Sequence, residues 1–218
     1  MRTLVDACVL ALVFTLYWCS RQRRQYLKKR IGPLALHNVY KVARNIGYML
    51  SKKRLDVYGD RIRLQPGCIL FSFHYGVWEL MPRTLDALGY RIGVIVNRYA
   101  SNKMSWITRL VDRMLYQYRS VGKVIVFYRD ETLKIVRFLK TGGILGVLVD
   151  GDSLYAKHPL VMKLSRVSHA PLVPFAAYTS NGRGILHIGC DLETLVKEQP
   201  LDYVWFYKSR KAEYPQKI

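Results

Sequence analysis

The segment Phe71-Ser72-Phe73-His74-Tyr75-Gly76-Val77-Trp78-Glu79 holds the residues whose types and spacing could do chemistry. The apolar run from Cys68 to Phe71 reads as a buried strand. It leads into a histidine, passes a glycine and enters a helix-like stretch that opens with a glutamate. An imidazole is the side chain best suited to take a proton from a hydroxyl near neutral pH. A carboxylate one helical turn away can set its tautomer and steady the imidazolium. The pair therefore points to acyl transfer onto a hydroxyl, with His74 as base and Glu79 orienting its ring. A second reading stands beside it, in which His74 is a core histidine and Glu79 serves the helix N-terminus electrostatically.

Other polar residues fall at the ends of apolar runs. Asp150-Gly151-Asp152-Ser153 follows the strand-like run from Ile144 to Val149. Two acids in such a turn can orient a ligand hydroxyl, hold a metal or cap the next segment. Arg98 follows the run that ends at Asn97, and Arg119 ends a long helical pattern. Arg98, Arg119 or the backbone amides near Gly76 are candidates to hold a developing oxyanion. For each basic residue singly, a solvated surface role competes with that one. The substrate-binding candidates are thus Arg98, Arg119, Asp150 and Asp152. No metal site is expected.

The elements that must position these residues show in the periodicity. Residues 34–53 read as a basic helix. Residues 55–58 and 61–64 flank Gly59-Asp60 and predict a small hairpin. Strand-like runs follow at 68–73, 91–97, 123–128, 144–149, 172–178 and 184–190, with helix-like runs at 78–88, 103–118, 130–140 and 159–168. This alternation predicts an α/β fold with a mostly parallel central sheet flanked by helices. Ser180-Asn181-Gly182-Arg183 is a hairpin signal, so the last two strands form an antiparallel edge. Sites in such sheets lie at the carboxyl ends of the strands. His74 and Asp150 both fall there.

The chain has 218 residues, half of them hydrophobic, which is enough for one domain with a substantial core. Lys and Arg total 35 against 15 Asp and Glu, for a net charge of +20. Such a surface attracts phosphates, anionic lipids or an acidic protein. No zinc knuckle, Lys/Arg-Gly-Phe box or homeodomain-like helix accompanies that charge, which argues against a nucleic-acid partner. The four cysteines are far apart and form no Cys-x-x-Cys, so neither a disulfide framework nor a zinc site is expected. Leu4 to Cys19 is mostly apolar, interrupted by Asp6, and a basic block runs from Arg21 to Arg30. Three readings fit: a short or tilted membrane anchor with the basic block on the cytoplasmic side, a signal peptide, or a buried core helix. The anchor is preferred, although the stretch is shorter than the about 20 residues of an ordinary span. It divides the chain into an anchor with its basic block (1–30) and a catalytic domain (31–218).

Taken in order, several segments resemble the bacterial lipid A biosynthesis (lauroyl/myristoyl) acyltransferase family, within the glycerolipid acyltransferase-like group. The run His74-Tyr75-Gly76-Val77-Trp78-Glu79 resembles that family's histidine–four residues–acid motif. Arg98 with Asn102, and Arg119 with Gly122, are similar to its arginine-containing stretches. Leu139-Lys140-Thr141-Gly142-Gly143 leading to Asp150 and Asp152, then Ala170-Pro171-Leu172-Val173-Pro174, resemble its next two segments. Pro200 followed by Tyr203 through Lys211 is similar to its closing tryptophan–basic signature. The resemblance spans roughly residues 68–211. Gly151 stands where the family has glutamine, and Val77 where it has asparagine. The resemblance implies an O-acyltransferase that needs no metal or redox cofactor. Its acyl donor would be a thioester of acyl carrier protein or coenzyme A. Its acceptor would be a hydroxyl of an anionic lipid, first of all a lipid A precursor, at the cytoplasmic face of a bacterial inner membrane. A lysophospholipid or aminolipid acceptor is the alternative within the class. A non-catalytic lipid-binding module of the same fold is the alternative outside it.

Overall fold

A computed structural model describes residues 2–51, 54–60, 63–96, 116, 119, 122–149 and 159–203. Three helices open the chain: α1 (Arg2–Cys19), α2 (Arg21–Ile31) and α3 (Ala35–Leu50). Seven strands follow: β1 (Asp56–Gly59), β2 (Ile69–Ser72), β3 (Ile92–Val96), β4 (Ile125–Tyr128), β5 (Ile144–Leu148), β6 (Leu172–Ser180) and β7 (Arg183–Ile188). Between and after them run α4 (Met81–Ala87), α5 (Thr132–Lys140), α6 (Pro159–Ser168) and α7 (Leu192–Glu198). The strands form one sheet in the order β1-β7-β6-β2-β5-β3-β4. Every neighbouring pair is parallel except β6 with β7. The α/β class and the mostly parallel, helix-flanked sheet are therefore as the alternation predicts.

Near-continuous apolar strands make this sheet. Ile69 and Leu70 of β2, and Ile144 through Val147 of β5, are buried, as strands covered on both faces require. One face packs Leu70, Ile92, Ile144, Phe175 and Leu186 against Met81 and Leu85 of α4. The other packs Ile69, Phe127, Leu145 and Val147 against Ile135 and Phe138 of α5 and Leu164 of α6. Loops on either side of the sheet can then reach its carboxyl rim.

The structure corrects several sequence expectations. Among the described residues, 55–58 show no hairpin pairing with 63–64, and Arg61 and Ile62 of the expected second arm lie outside those residues. β1 instead adds in parallel to the far side of β7, with Asp56 opposite Ile185 and Gly59 opposite Ile188. The antiparallel β6–β7 pair is thus an interior pair, not the sheet edge. Its turn is as expected: Asn181 and Gly182 take φ of 49° and 74°, the left-handed pair of a two-residue hairpin. The helix predicted at 78–88 starts as a 3-10 turn over Trp78–Leu80. Helix α7 was not foreseen, although its cap is legible: Asp191 accepts from the backbone N–H of Glu193 (3.1 Å) and Thr194 (3.3 Å). The helix predicted at 103–118 lies outside the described residues apart from Tyr116.

The N-terminal stretch also differs from expectation. Among the described residues, no helix is long and apolar enough to cross a membrane. Helix α1 instead lays one face on the domain. Val13 and Tyr17 are buried with Val39 and Ala43 of α3 and Leu27 of α2, and Val9, Leu10 and Phe14 pack at their margin. This is the packing expected of the core-helix reading. The opposite face of α1 remains outward.

Candidate active site at the end of the central strand

Strand β2 lies in the middle of the sheet, parallel to β5 on one side and β6 on the other. Its carboxyl end delivers Phe73 to the core and leaves His74 half-buried. A tight turn follows, closed by the Tyr75 N–H donating to the Phe73 carbonyl (2.8 Å). The Tyr75 side chain is fully buried, and its hydroxyl donates to the Gln199 carbonyl (3.0 Å). Burial, reinforced by the nearby Asp202 carboxylate, raises that phenol far above its ordinary range, so Tyr75 is a structural donor and not an acid–base group.

Gly76 comes next, at φ +59°. Its N–H donates to the Asp202 carbonyl (2.7 Å), and the Val77 N–H donates to the Ala177 carbonyl (2.7 Å). A Cβ at position 76 would stand 2.2 Å from the Ala177 oxygen. Position 76 thus requires glycine for both its backbone angle and its close approach to β6. The three amides that follow His74 are all committed to internal bonds. Of the oxyanion donors weighed from sequence, these backbone amides are therefore taken.

Trp78 and Glu79 form the 3-10 turn that leads into α4. The rings of His74 and Trp78 meet edge to face, with centroids 5.2 Å apart and planes at 71°. Glu79 is paired with Arg119: Nε donates to Oε2 (2.8 Å), and a terminal guanidinium nitrogen donates to Oε1. This two-point grip suits a planar guanidinium and holds the carboxylate in one place. The side chains are 12% and 26% exposed, so the pair is largely shielded from solvent. Sequence reasoning assigned Glu79 to the imidazole and Arg119 to substrate. The structure brings these two to each other beside the His74 turn.

β3 ends at Val96 and β5 at Leu148, on the same rim as Ser72, and the Val149 N–H donates to the Ser72 carbonyl (2.8 Å). Arg98, Asp150 and Asp152 follow those strands and lie outside the described residues. Among the described residues, no group of three or more His, Cys, Asp or Glu could hold a metal ion. Cys68 and Cys190 are buried, and desolvation pushes both thiols up to about 11, which leaves them protonated at neutral pH.

Sequence reasoning missed a polar cluster that braces the turn from behind. Asp202 is buried. Its carboxylate accepts from Asn45 Nδ2 (2.7 Å) and pairs with Lys41 Nζ (3.3 Å). Lys41 also donates to the Thr179 carbonyl (3.0 Å), the Thr179 hydroxyl donates to Asn45 Oδ1 (3.1 Å), and Asn38 Nδ2 donates to the Leu201 carbonyl (2.9 Å). The spacing of Asn38, Lys41 and Asn45 marks one polar face of α3, a signal visible in the sequence. Asp202 lies far along the chain, so nothing local announces their partner.

Burial raises the Asp202 carboxyl above its ordinary value, and Lys41 and Asn45 only partly offset this. A raised folded-state value means that the folded protein holds this proton at a pH where the unfolded chain has released it. Stability from this group therefore falls as pH rises from the unfolded carboxyl value through the raised folded value. The D202N variant is expected to lack that component. Urea midpoints measured across the acidic range would check it, and parallel profiles for the two proteins would refute the assignment.

Two buried polar atoms near the turn, Ser72 Oγ and Trp78 Nε1, have no hydrogen-bond partner among the described residues. No protein-family model matches this chain, and no curated protein matches it.

Proposed function

We propose that this protein is a membrane-associated O-acyltransferase. It moves a fatty acyl group from a thioester of acyl carrier protein or coenzyme A to a hydroxyl of an anionic lipid, with a lipid A precursor as the first acceptor. The observation that carries this reading is the half-buried His74 at the carboxyl end of the central parallel strand, on a turn braced from three sides. Hydrogen bonds from Tyr75, Gly76 and Val77 fix the backbone that carries the imidazole, and the Trp78 ring packs edge to face against it, which suits a positioned base.

In this mechanism His74 takes the proton of the acceptor hydroxyl as its oxygen attacks the thioester carbon. A carbon–oxygen bond forms and the carbonyl oxygen becomes an oxyanion. The carbon–sulfur bond then breaks, and the leaving thiolate takes the proton from His74. Glu79 steadies the imidazolium between these steps, and Arg119 holds that carboxylate in position. The net charge of +20 favours acidic carriers, phosphate-bearing thioesters and anionic acceptors alike. The decisive experiment incubates the purified chain with acyl carrier protein and coenzyme A thioesters and a panel of lipid acceptors. Mass spectrometry should find one added acyl group on a specific lipid. Lipid binding without any acyl gain would assign the chain to a non-catalytic module instead.

The membrane partner is reached through α1 and α2. The outward face of α1 carries Leu12 at 61% exposure and Trp18 at 60%, with Cys8 and Cys19 also exposed. Helix α2 has the sequence Arg-Gln-Arg-Arg-Gln-Tyr-Leu-Lys-Lys-Arg-Ile, without an acid, and the Arg24 guanidinium lies 5.7 Å from the Trp18 ring. An apolar face beside basic residues suits a helix lying in the headgroup plane of the inner membrane, its domain on the cytoplasmic side. In flotation with anionic vesicles, L12D is expected to weaken binding about tenfold, the worth of one buried leucine. High salt should release the remainder. Equal flotation of L12D and the parent would exclude this face as the contact.

A further inference from the structure

The proposed chemistry needs a donor for the oxyanion, and the described site leaves few. The N–H groups of Tyr75, Gly76 and Val77 go to Phe73, Asp202 and Ala177. The Arg119 guanidinium spends Nε and one terminal nitrogen on Glu79. Of the two buried groups near the turn that have no partner among the described residues, the Ser72 hydroxyl and the indole N–H of Trp78, the indole belongs to the ring that packs against His74.

A buried N–H left without an acceptor is disfavoured, and native proteins keep few of them. An indole nitrogen is a donor only, so it can be satisfied by an oxygen acceptor and never by another donor. Its ring lies edge-on to the His74 imidazole at 5.2 Å between centroids. In a tetrahedral intermediate the attacking oxygen and the oxyanion share one carbon. A base on the first and a donor on the second must then stand a few ångströms apart, as these two rings do.

From this juxtaposition we infer that Trp78 is a catalytic residue whose indole N–H donates to the thioester carbonyl oxygen as it becomes the oxyanion. This rests on the acyl-transfer reading and deepens it. Trp78 keeps its proton throughout, and the hydrogen bond strengthens as charge builds on the acceptor oxygen. The ring also forms a wall against His74, so one side chain both borders the base and polarises the bond it attacks.

The test separates the N–H from the ring. W78F retains an aromatic edge beside His74 and removes only the donor. Its kcat is expected to fall about a hundredfold, the lower end of the loss seen on removing one oxyanion donor, with KM nearly unchanged. W78H, which restores a ring N–H, is expected to recover part of that loss. A purely structural role would shift the thermal midpoint and would not distinguish phenylalanine from histidine in kcat.

A second measurement needs no turnover. In a ¹⁵N-tryptophan-labelled chain, the indole resonance absent from W78F is assigned to Trp78. Titration with an acyl-pantetheine ketone, in which a methylene replaces the sulfur, should move that proton downfield as it binds the carbonyl. Unchanged kcat in W78F, or an unmoved resonance at saturating ketone, overturns the inference. If the unaltered chain transfers no acyl group, the acyltransferase reading fails and Trp78 loses its catalytic role with it. A downfield shift in that case would still show that its N–H binds an acyl carbonyl.

Discussion

Replacing His74 by alanine is expected to lower acyl transfer by about a hundred- to ten-thousand-fold, the usual contribution of a positioned general base. The fold should be indifferent to the change. His74 is half-buried at a bend, and the bonds that set the turn are made by the backbone of Phe73, Tyr75, Gly76 and Val77 and by the Tyr75 hydroxyl. Circular dichroism and the thermal midpoint should match the parent while product formation disappears. Restoring an ionisable ring from solution offers a sharper check. Imidazole added to H74A should recover part of the rate, because the cavity left by the side chain has the size of the rescuing base. A well-folded H74A chain with near-parental transfer would falsify the assignment of His74 as the base.

Gly76→Ala acts on the other half of the same turn and should be the most damaging small substitution here. Alanine in the left-handed region costs roughly 1–2 kcal/mol, and forcing a methyl into packed atoms adds roughly 1–3 kcal/mol. The obstacle is the carbonyl of Ala177, part of the β6 backbone and 2.2 Å from where the methyl would be, so no side chain can swing aside. We expect a stability loss of about 3 kcal/mol, seen as a fall of about 6–12 °C in thermal midpoint. Gly182→Ala is the matched control. Its φ is also left-handed, at 74°, but nothing stands within 4 Å of the added methyl, so only the conformational part should appear. Comparable losses for the two variants would mean that the close approach to β6 contributes little. Activity should fall further in G76A than its stability loss explains, since any relief of the clash moves His74 away from its neighbours.

These two predictions draw on different kinds of legibility. His74 is legible in the sequence because a histidine at the end of an apolar run and before a helix is a local pattern. The need for glycine at 76 could be suspected from its place in that turn. Its reason, a β6 carbonyl contributed by residue 177, could not. The same division runs through the site. Glu79 was visible as an acid five residues after His74, but its grip by Arg119 joins positions 40 residues apart. The strands β2, β5 and β6 were read within a residue or two of their ends because they are continuous apolar runs between turn signals. β1 is legible as a strand, but its partner is not, because Gly59-Asp60 offers a plausible local turn. Four backbone pairs along β7, the parallel alternative, lie more than a hundred residues away in sequence.

Composition, periodicity and the His74–Glu79 spacing by themselves determined the α/β class, the parallel sheet and the basic surface, and singled out the residue on which the proposed chemistry turns. These depend on properties that a short window of chain carries: hydrophobic period, turn chemistry and side-chain type. Tertiary structure alone decided that α1 rests on α3, that Arg119 belongs to Glu79, that Asp202 closes a cluster with Lys41 and Asn45, and that the amides after His74 are already taken. Each of these is a pairing between distant segments. A partner of that kind is selected by three-dimensional packing and by the penalty on leaving a buried polar group unmatched, neither of which a local stretch of residues encodes.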